Sequence, residues 1–246
     1  MNIRHIKFLR RKSIFGKLLR LPIRLIPDNT VLKIFSGLLK GKKFIKGSHN
    51  ISIAIGTYER KQSERFASYC AASNCFWDLG AHVGYYTLLY NSQNPEGKTF
   101  AFEPSEANAK LYHRHMELNQ IKNYQLFQAA VSNKEGILSF NKTRSTVAGK
   151  LDETGDTKVK AMQLSKFIEK NEFAVPGLVK MDIEGGEENA LLDVKEIFMK
   201  TKPVLFLSTH GKQVHLNCIR LLTEMGYNLE PLDKPNLNDC REILAS

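Results

Sequence analysis

Three observations predict an α/β fold with a Rossmann-like, doubly wound, mainly parallel sheet. From residue 75 to the C-terminus, short apolar runs alternate with helix-like segments, the pattern of a parallel sheet covered on both faces. Residues 75–104 hold strand, glycine turn, helix, strand and acid as a single βαβ unit. Asp78, Glu103, Asp182, Glu184 and His210 all fall at predicted strand ends, where ligands of such sheets bind.

At 246 residues the chain suits one α/β domain with an extension. Its 42% apolar and 25% charged residues are those of a folded soluble protein. The net charge of +11 is unevenly placed. Residues 1–46 set thirteen Lys and Arg against Asp28 alone, a net of +12, while 23 basic and 24 acidic residues leave the remainder at about −1. We therefore divide the chain into a basic amphipathic extension, 1–46, and a domain, 47–246. Cys70, Cys75, Cys218 and Cys240 form no C-x-x-C pair and have no histidine at zinc spacing, so a reduced, cytoplasmic protein without structural metal is expected. The basic start lacks an uninterrupted apolar region with a cleavage site, and no window approaches the ~18 apolar residues of a membrane span.

Residues 1–26 alternate basic and bulky apolar residues, which gives one apolar and one basic face at helical spacing; Pro22 and Pro27 break the segment. It suits peripheral contact with an anionic membrane, a helix reaching for nucleic acid, or a helix packed on the domain. Residues 42–56 read as two short strands around Gly47-Ser48. Thr57 can cap a helix from Tyr58 to about Ala72, leaving Gly56-Thr57-Tyr58-Glu59 as a loop able to cover a cofactor. The first strand of the central unit, Cys75–Trp77, ends in Asp78, and Gly80, Ala81 and Gly84 make the turn. A helix spans Tyr85–Asn91, and the second strand, Thr99–Phe102, ends in Glu103. Pro104 stiffens the approach to a helix capped by Ser105 that ends near Asn119. The strand Tyr124–Val131 closes in small residues, Ala129, Ala130 and Val131, that would fit beneath a flat adenine ring. Ile137–Asn141 and Lys158–Leu164 flank a polar stretch, 143–157, read as a lid or acceptor-binding insert. The strand Leu178–Ile183 leaves through Glu184-Gly185-Gly186-Glu187 into a helix ending near Lys200. Pro203–Leu207 ends in Ser208-Thr209-His210, a helix covers roughly 213–225, a strand 227–232, and Glu242–Ala245 is a last edge strand.

The glycine turn lets the backbone come close to a ligand, the helix after it points N–H groups there, and Glu103 can accept both hydroxyls of a ribose. Dinucleotide sites read G-x-G-x-x-G, whereas this turn reads Asp78-x-Gly80-x-x-x-Gly84, with an acid just ahead of it. That acid would repel a pyrophosphate and suits the ammonium and sulfonium of S-adenosylmethionine. His82 shapes the turn or faces the cofactor. Methyl transfer from a sulfonium needs an aligned acceptor, exclusion of water and, for a hydroxyl, removal of a proton. Asp182, Glu184 and His210 follow adjacent strands and can meet over the methyl group, His210 as base. Asp182 and Glu184 can also bind the cofactor's amino end, brace His210 or hold a divalent cation with it, though no resident metal is assigned. The absence of a D/N-P-P-aromatic run after Asp182 favours oxygen over planar nitrogen as acceptor.

Gly56-Thr57-Tyr58-Glu59, Asp78-Leu79-Gly80-Ala81-His82-Val83-Gly84, Phe102-Glu103-Pro104, Ala129-Ala130-Val131-Ser132, Lys180-Met181-Asp182-Ile183-Glu184-Gly185-Gly186-Glu187 and Glu242-Ile243-Leu244-Ala245 occur in this order. Together, over roughly residues 40–246, they resemble the FkbM-type methyltransferase family. The resemblance implies a class I methyltransferase fold, a seven-stranded sheet of order 3-2-1-4-5-7-6, and dependence on S-adenosylmethionine. It implies that Asp78 to Gly84 and Glu103 bind cofactor and that the Asp182–Glu187 turn borders the active site. Family members act on sugar hydroxyls, polyketides and related metabolites. Two positions depart from the family pattern: His82 stands where asparagine is usual, and Ser208, two before His210, where glutamate is usual.

The expected function is O-methylation of a sugar hydroxyl in a glycan, glycolipid or related metabolite, with the basic N-terminus near a membrane. The cofactor set is Tyr58, Asp78, Gly80, Ala81, His82, Gly84, Glu103, Pro104, Ala130, Val131 and Asp182; the catalytic set is Asp182, Glu184 and His210. Competing readings are an RNA methyltransferase with residues 1–46 as its arm, a nicotinamide-dependent oxidoreductase and a non-catalytic nucleotide-binding module. The missing G-x-G-x-x-G argues against the second, and Ser208 keeps the third open. Nucleic acid is the less favoured partner, and the oligomeric state stays open.

Overall fold

The computed structural model describes residues 23, 25–142, 149–151, 157–169 and 175–246, with side chains left aside at 140–142, 149–151 and 157. Two compact units divide the chain, Met1–Tyr58 and Glu59–Ser246, so the boundary expected at residue 46 falls inside the first. Nearly all of the amphipathic segment 1–26 lies outside the described residues.

In the first unit, β1 (Val31–Lys33) pairs antiparallel with β2 (Lys43–Ile45), and α1 spans Ser52–Ile55. The second strand expected in residues 42–56 is instead this helical turn. The partner of β2 comes from upstream, which leaves Ile51–Ile55 without a ladder. Asn50 Oδ1 accepts the Ser52 N–H at 3.0 Å, and Gly56, at φ 83°, returns its N–H to Ser52 and Ile53. A Cβ at Gly56 would lie 1.7 Å from the Ser36 carbonyl, so only glycine closes this turn.

The second unit runs α2 (Arg60–Cys70), β3 (Cys75–Leu79), α3 (Tyr85–Gln93), β4 (Lys98–Phe102), α4 (Glu106–Leu118), β5 (Tyr124–Phe127), β6 (Ala130–Val131), β7 (Gly136–Lys142), β8 (Gly149–Leu151), β9 (Thr157–Met162), α5 (Leu164–Glu169), β10 (Leu178–Met181), α6 (Glu187–Thr201), β11 (Val204–Ser208), α7 (Lys212–Glu224), β12 (Leu229–Pro231) and β13 (Glu242–Ala245). The main sheet is hydrogen-bonded in the order β12-β13-β11-β10-β3-β4-β5. Counted with β3 as the first strand, this reads 3-2-1-4-5-7-6 from the β5 edge. Strands β5, β4, β3, β10 and β11 are parallel, and β13 is antiparallel to both of its neighbours.

Three elements differ from the sequence expectation. β13 is an interior strand, and β12 takes the edge. The strand expected over Tyr124–Val131 splits in two. A tight turn, with the Ala129 N–H on the Phe127 carbonyl at 2.8 Å, sends β6 into a second sheet of order β6-β9-β7-β8. Helix α2 begins after Glu59 with no side-chain cap, so Thr57 does not cap it. Most of the polar stretch read as a lid lies outside the described residues.

Phe76, Trp77 and Leu79 of β3 are buried on both faces, as are the apolar residues of β10 and most of β11, which explains their unbroken hydrophobic runs. Phe66 of α2 packs edge-on against Phe76, Tyr86 and Phe206 and ties helix to sheet. Each such fully buried side chain contributes roughly 1.5–3 kcal/mol. All four cysteines are buried thiols. Among the described residues no helix is long and apolar enough to cross a membrane.

Candidate active site

The carboxyl ends of β3, β4, β10 and β11 lie side by side, and Gly80 sets their spacing. It sits at φ 82°, and a Cβ there would come 1.9 Å from the Asp182 carbonyl oxygen. The exit of β3 can therefore lie against the exit of β10 only because residue 80 has no side chain. The Gly80 and Ala81 N–H groups both donate to the Phe102 carbonyl at 2.9 Å. One Glu103 oxygen accepts the His82 N–H at 2.9 Å; the other accepts the Ser105 N–H at 2.8 Å and the Asn108 amide at 3.3 Å. Burial pushes the Glu103 carboxyl above its ordinary pKa, against the pull of these three donors. His82 lies in the left-handed region at φ 48°, which fits the backbone-shaping part of its expected role.

Asp78 and Gly84 each have a structural part in the turn. Asp78 is 2% exposed, and its Oδ2 accepts the Thr87 hydroxyl at 2.7 Å; Tyr112 in turn donates to Thr87 at 2.9 Å. Burial raises the Asp78 pKa to about 7 despite the Thr87 bond and the Lys180 charge. A Cβ on Gly84 would meet Tyr112 and Met116 at 2.8 Å, so this glycine admits α4 against the turn. Both residues shape the turn from behind. Pro104 is half-buried between Glu103 and the Ser105 cap; Ala130 and Val131 are buried in β6 of the second sheet. Tyr58 belongs to the first unit, where its ring stands edge-on to His49 at 4.9 Å.

On β10 and β11 the expected trio converges. His210 Nε2 lies 3.4 Å from Glu184 Oε2 and 3.7 Å from Asp182 Oδ1, each side chain about a third exposed. His210 Nδ1 lies 2.9 Å from Oε1 of Glu187, the wholly buried first residue of α6. Glu187 Oε1 also accepts the Gly185 N–H at 3.0 Å, and Glu184 at φ 56° and Gly185 at φ 107° make the sharp turn between them. Burial disfavours the His210 cation, but the Glu187 bond and the Asp182 and Glu184 charges outweigh it and raise its pKa. Burial likewise opposes the Asp182 anion, yet the Lys180 and His210 charges hold its pKa below the usual value. Burial dominates at Glu184 and lifts its pKa.

Lys180, Ser208, Glu242 and Gln62 complete this side. Lys180, 1% exposed, contacts the Ser208 hydroxyl and lies 3.4 Å from Asp182 Oδ2 and 3.9 Å from Glu242 Oε2, with the Tyr86 ring 5.4 Å away. Glu242 Oε2 accepts from Ser208 and from Gln62, each at 2.7 Å. Ser208 and Glu242 face each other in the β11–β13 ladder, a pairing no local motif announces. The carboxylate beside His210 thus comes from Glu187 rather than from position 208. The E-G-G-E spacing was the signal available for it: the second glutamate opens the helix and points back across the turn.

The model of the methyltransferase FkbM domain matches residues 78–229, well over half of the chain. The chain belongs to the FkbM methyltransferase family. Membership makes this an S-adenosylmethionine-dependent methyltransferase domain. The curated protein Methyltransferase 1 of Beauveria bassiana (strain ARSEF 2860) is 25% identical over 138 residues, 46% of this chain and 55% of that protein. The chain thus spans about half the length of the curated relative it matches. The methyltransferase FkbM of Methylobacillus flagellatus KT superposes with a TM-score of 0.49 at 16% identity, covering 70% of this FkbM chain and 43% of that one. The O-methyltransferase of Bacillus cereus, in complex with SAH, gives 0.46 at 10% identity, covering 77% and 79%.

Proposed function

We propose that this FkbM protein methylates a hydroxyl group of a sugar in a glycan, a glycolipid or a related metabolite. The observation that carries the reading is the half-open cluster of Asp182, Glu184 and His210, set against the glycine turn through Gly80. S-adenosylmethionine supplies an electrophilic methyl group on a good leaving group. The turn fits such a cofactor by its donor set. A carboxylate offers about four lone-pair positions, and the three N–H donors on Glu103 leave room for a hydroxyl. Cationic groups suit an exit turn that sets three carboxylates, Asp182, Glu184 and Glu187, against Lys180 and His210.

On the acceptor side Glu187 fixes the His210 ring through Nδ1, so Nε2 and the two carboxylates turn lone pairs to one place. A hydroxyl held there has acceptors for its proton on three sides. The +12 charge of residues 1–46 supports a second part of the proposal, peripheral contact with an anionic membrane that would keep the enzyme near a lipid-linked acceptor.

Calorimetry with S-adenosylmethionine and its demethylated product tests the first step, and mass spectrometry of treated extracts, screened for a gain of one methyl group, tests the acceptor. Saturable binding and a methylated, hydroxyl-rich product are expected. Methylation on nitrogen, or no binding at all, would overturn the reading.

A further inference from the structure

We propose that Asp182, Glu184 and His210 form a binding site for a divalent transition-metal cation, with Glu187 holding the histidine from behind. The sequence expectation of no resident metal is replaced by this reading. A carboxylate only accepts hydrogen bonds, so the 2.9 Å contact between Glu187 Oε1 and Nδ1 places the ring proton on Nδ1. In the neutral ring, the form that binds a metal, Nε2 is then a bare nitrogen, and it faces Glu184 Oε2 at 3.4 Å and Asp182 Oδ1 at 3.7 Å. Three lone-pair donors converge there. Both distances exceed the 2.7–2.9 Å of a charge-assisted hydrogen bond, so a proton shared with one carboxylate does not account for the geometry.

An ion does. With ligand distances of about 2.1 Å, atoms this far apart subtend angles of about 110–120° at a metal. One ligand atom from each of the three residues lies within 4.8 Å of the others, so a small carboxylate rotation at the exposed ends completes the set. Imidazole with two carboxylates suits manganese, iron or zinc better than calcium, and three protein ligands leave positions open. The surroundings favour positive charge: Lys180 meets the other Asp182 oxygen and not this point, and Glu187 Oε2 has no hydrogen-bond partner although its side chain is wholly buried. A buried carboxylate on the far nitrogen of a ligating histidine is the usual outer-shell arrangement of metal sites. Glu184 is held at φ 56°, a costly conformation for a non-glycine residue, and this turns its side chain toward His210. The open positions would take hydroxyl oxygens of the acceptor; that role rests on the O-methylation reading, whereas binding of the cation does not.

The test uses the full chain, stripped with a chelator and titrated with MnCl2 and with ZnCl2 by calorimetry, with Mn2+ electron paramagnetic resonance as a second readout. A single ion per chain is expected, with affinity at least about tenfold weaker in Asp182→Asn and Glu184→Gln and about 10–100-fold weaker in Glu187→Gln. Should Asp182→Asn fail to fold, Glu184→Gln on its half-exposed turn carries the comparison. Wild-type binding no tighter than that of Glu184→Gln overturns the proposal. So does one-for-one displacement of Mn2+ by S-adenosylmethionine, which would assign the cluster to the cofactor's own cationic groups. Cofactor binding measured in metal-free protein stands or falls separately, so failure of the metal site and failure of the methyltransferase reading give different results.

Discussion

The two halves of the strand-tip row are built on opposite principles. On β3 and β4, donors and acceptors are matched: the glycine-turn amides bond to Phe102, Glu103 holds three N–H groups, and Asp78 ends a chain of hydroxyls from Tyr112 through Thr87. On β10 and β11, acceptors outnumber donors, since Asp182, Glu184 and Glu187 gather around one imidazole. The matched half is formed before any ligand arrives, with one lone-pair position left on Glu103, which suits a cofactor that returns every cycle. The unmatched half needs a proton, a cation or a hydroxyl to complete it, which suits the place where bonds change. Preorganisation and electrostatic need are thus divided between neighbouring strands.

The largest expected effect comes from breaking the contact between the halves. In Gly80→Ala the new methyl group would overlap the Asp182 carbonyl at 1.9 Å, in a backbone region that strains alanine as well. A loss of more than about 3 kcal/mol in stability, the upper range for one substitution, is expected in denaturant unfolding, together with loss of cofactor binding. A mild effect would mean that the two exits are not held this closely.

Asp78 sharpens the comparison through pH. Its pKa is about 7 in the fold against an ordinary value of 3.8. A group raised in the folded state contributes stability that is fully present below the unfolded value and is lost as pH rises through the folded one. Between pH 4 and 8 the wild type should therefore lose up to about 4 kcal/mol relative to Asp78→Asn, whose amide still accepts from Thr87 but does not titrate. Urea unfolding across that range measures it, and a difference that does not vary with pH would show Asp78 to be solvated or paired.

How much of this was legible depends on the distance over which each feature is encoded. The βαβ unit, with its acids at Asp78 and Glu103, is written within thirty residues, because one short turn must be made by neighbours in sequence. The ends of β10 and β11 were readable too, since each strand delivers its own chemistry at its own tip. The inward turn of Asp78 was not, because it depends on Thr87 and on Tyr112 of another helix. Nor was the strand misread in Ile51–Ile55, where alternating apolar residues fit a strand until Val31–Lys33 pairs with Lys43–Ile45 in their place. Ser208 looked like a lost carboxylate for the same reason: the carboxylate that meets its hydroxyl, Glu242, lies 34 residues on and arrives only through antiparallel pairing, while the one beside His210 is Glu187.

A smaller effect is expected at Glu103. Glu103→Ala should weaken S-adenosylmethionine binding by about 1–3 kcal/mol in calorimetry, the worth of hydrogen bonds to a charged group, and cost a similar amount of stability because three donors lose their acceptor. Unchanged affinity in folded protein would assign Glu103 to the turn alone.

The smallest effect separates the buried Lys180 network from the open cluster beside it. Ser208→Ala removes the hydroxyl that joins Lys180 to Glu242, yet Lys180 keeps Asp182 and Glu242 keeps Gln62. A stability loss of about 1–2 kcal/mol with unchanged cofactor affinity is expected. Ser208→Glu alone would set two carboxylates on facing positions of the β11–β13 ladder and should be worse than alanine. Combining it with Glu242→Gln moves the single carboxylate across the strand pair, still beside Lys180, and should recover most of that loss. Thermal melting of the three variants decides the matter: recovery means that Lys180 needs one facing carboxylate whichever strand supplies it, and no recovery means that the route from Gln62 through Glu242 is itself required.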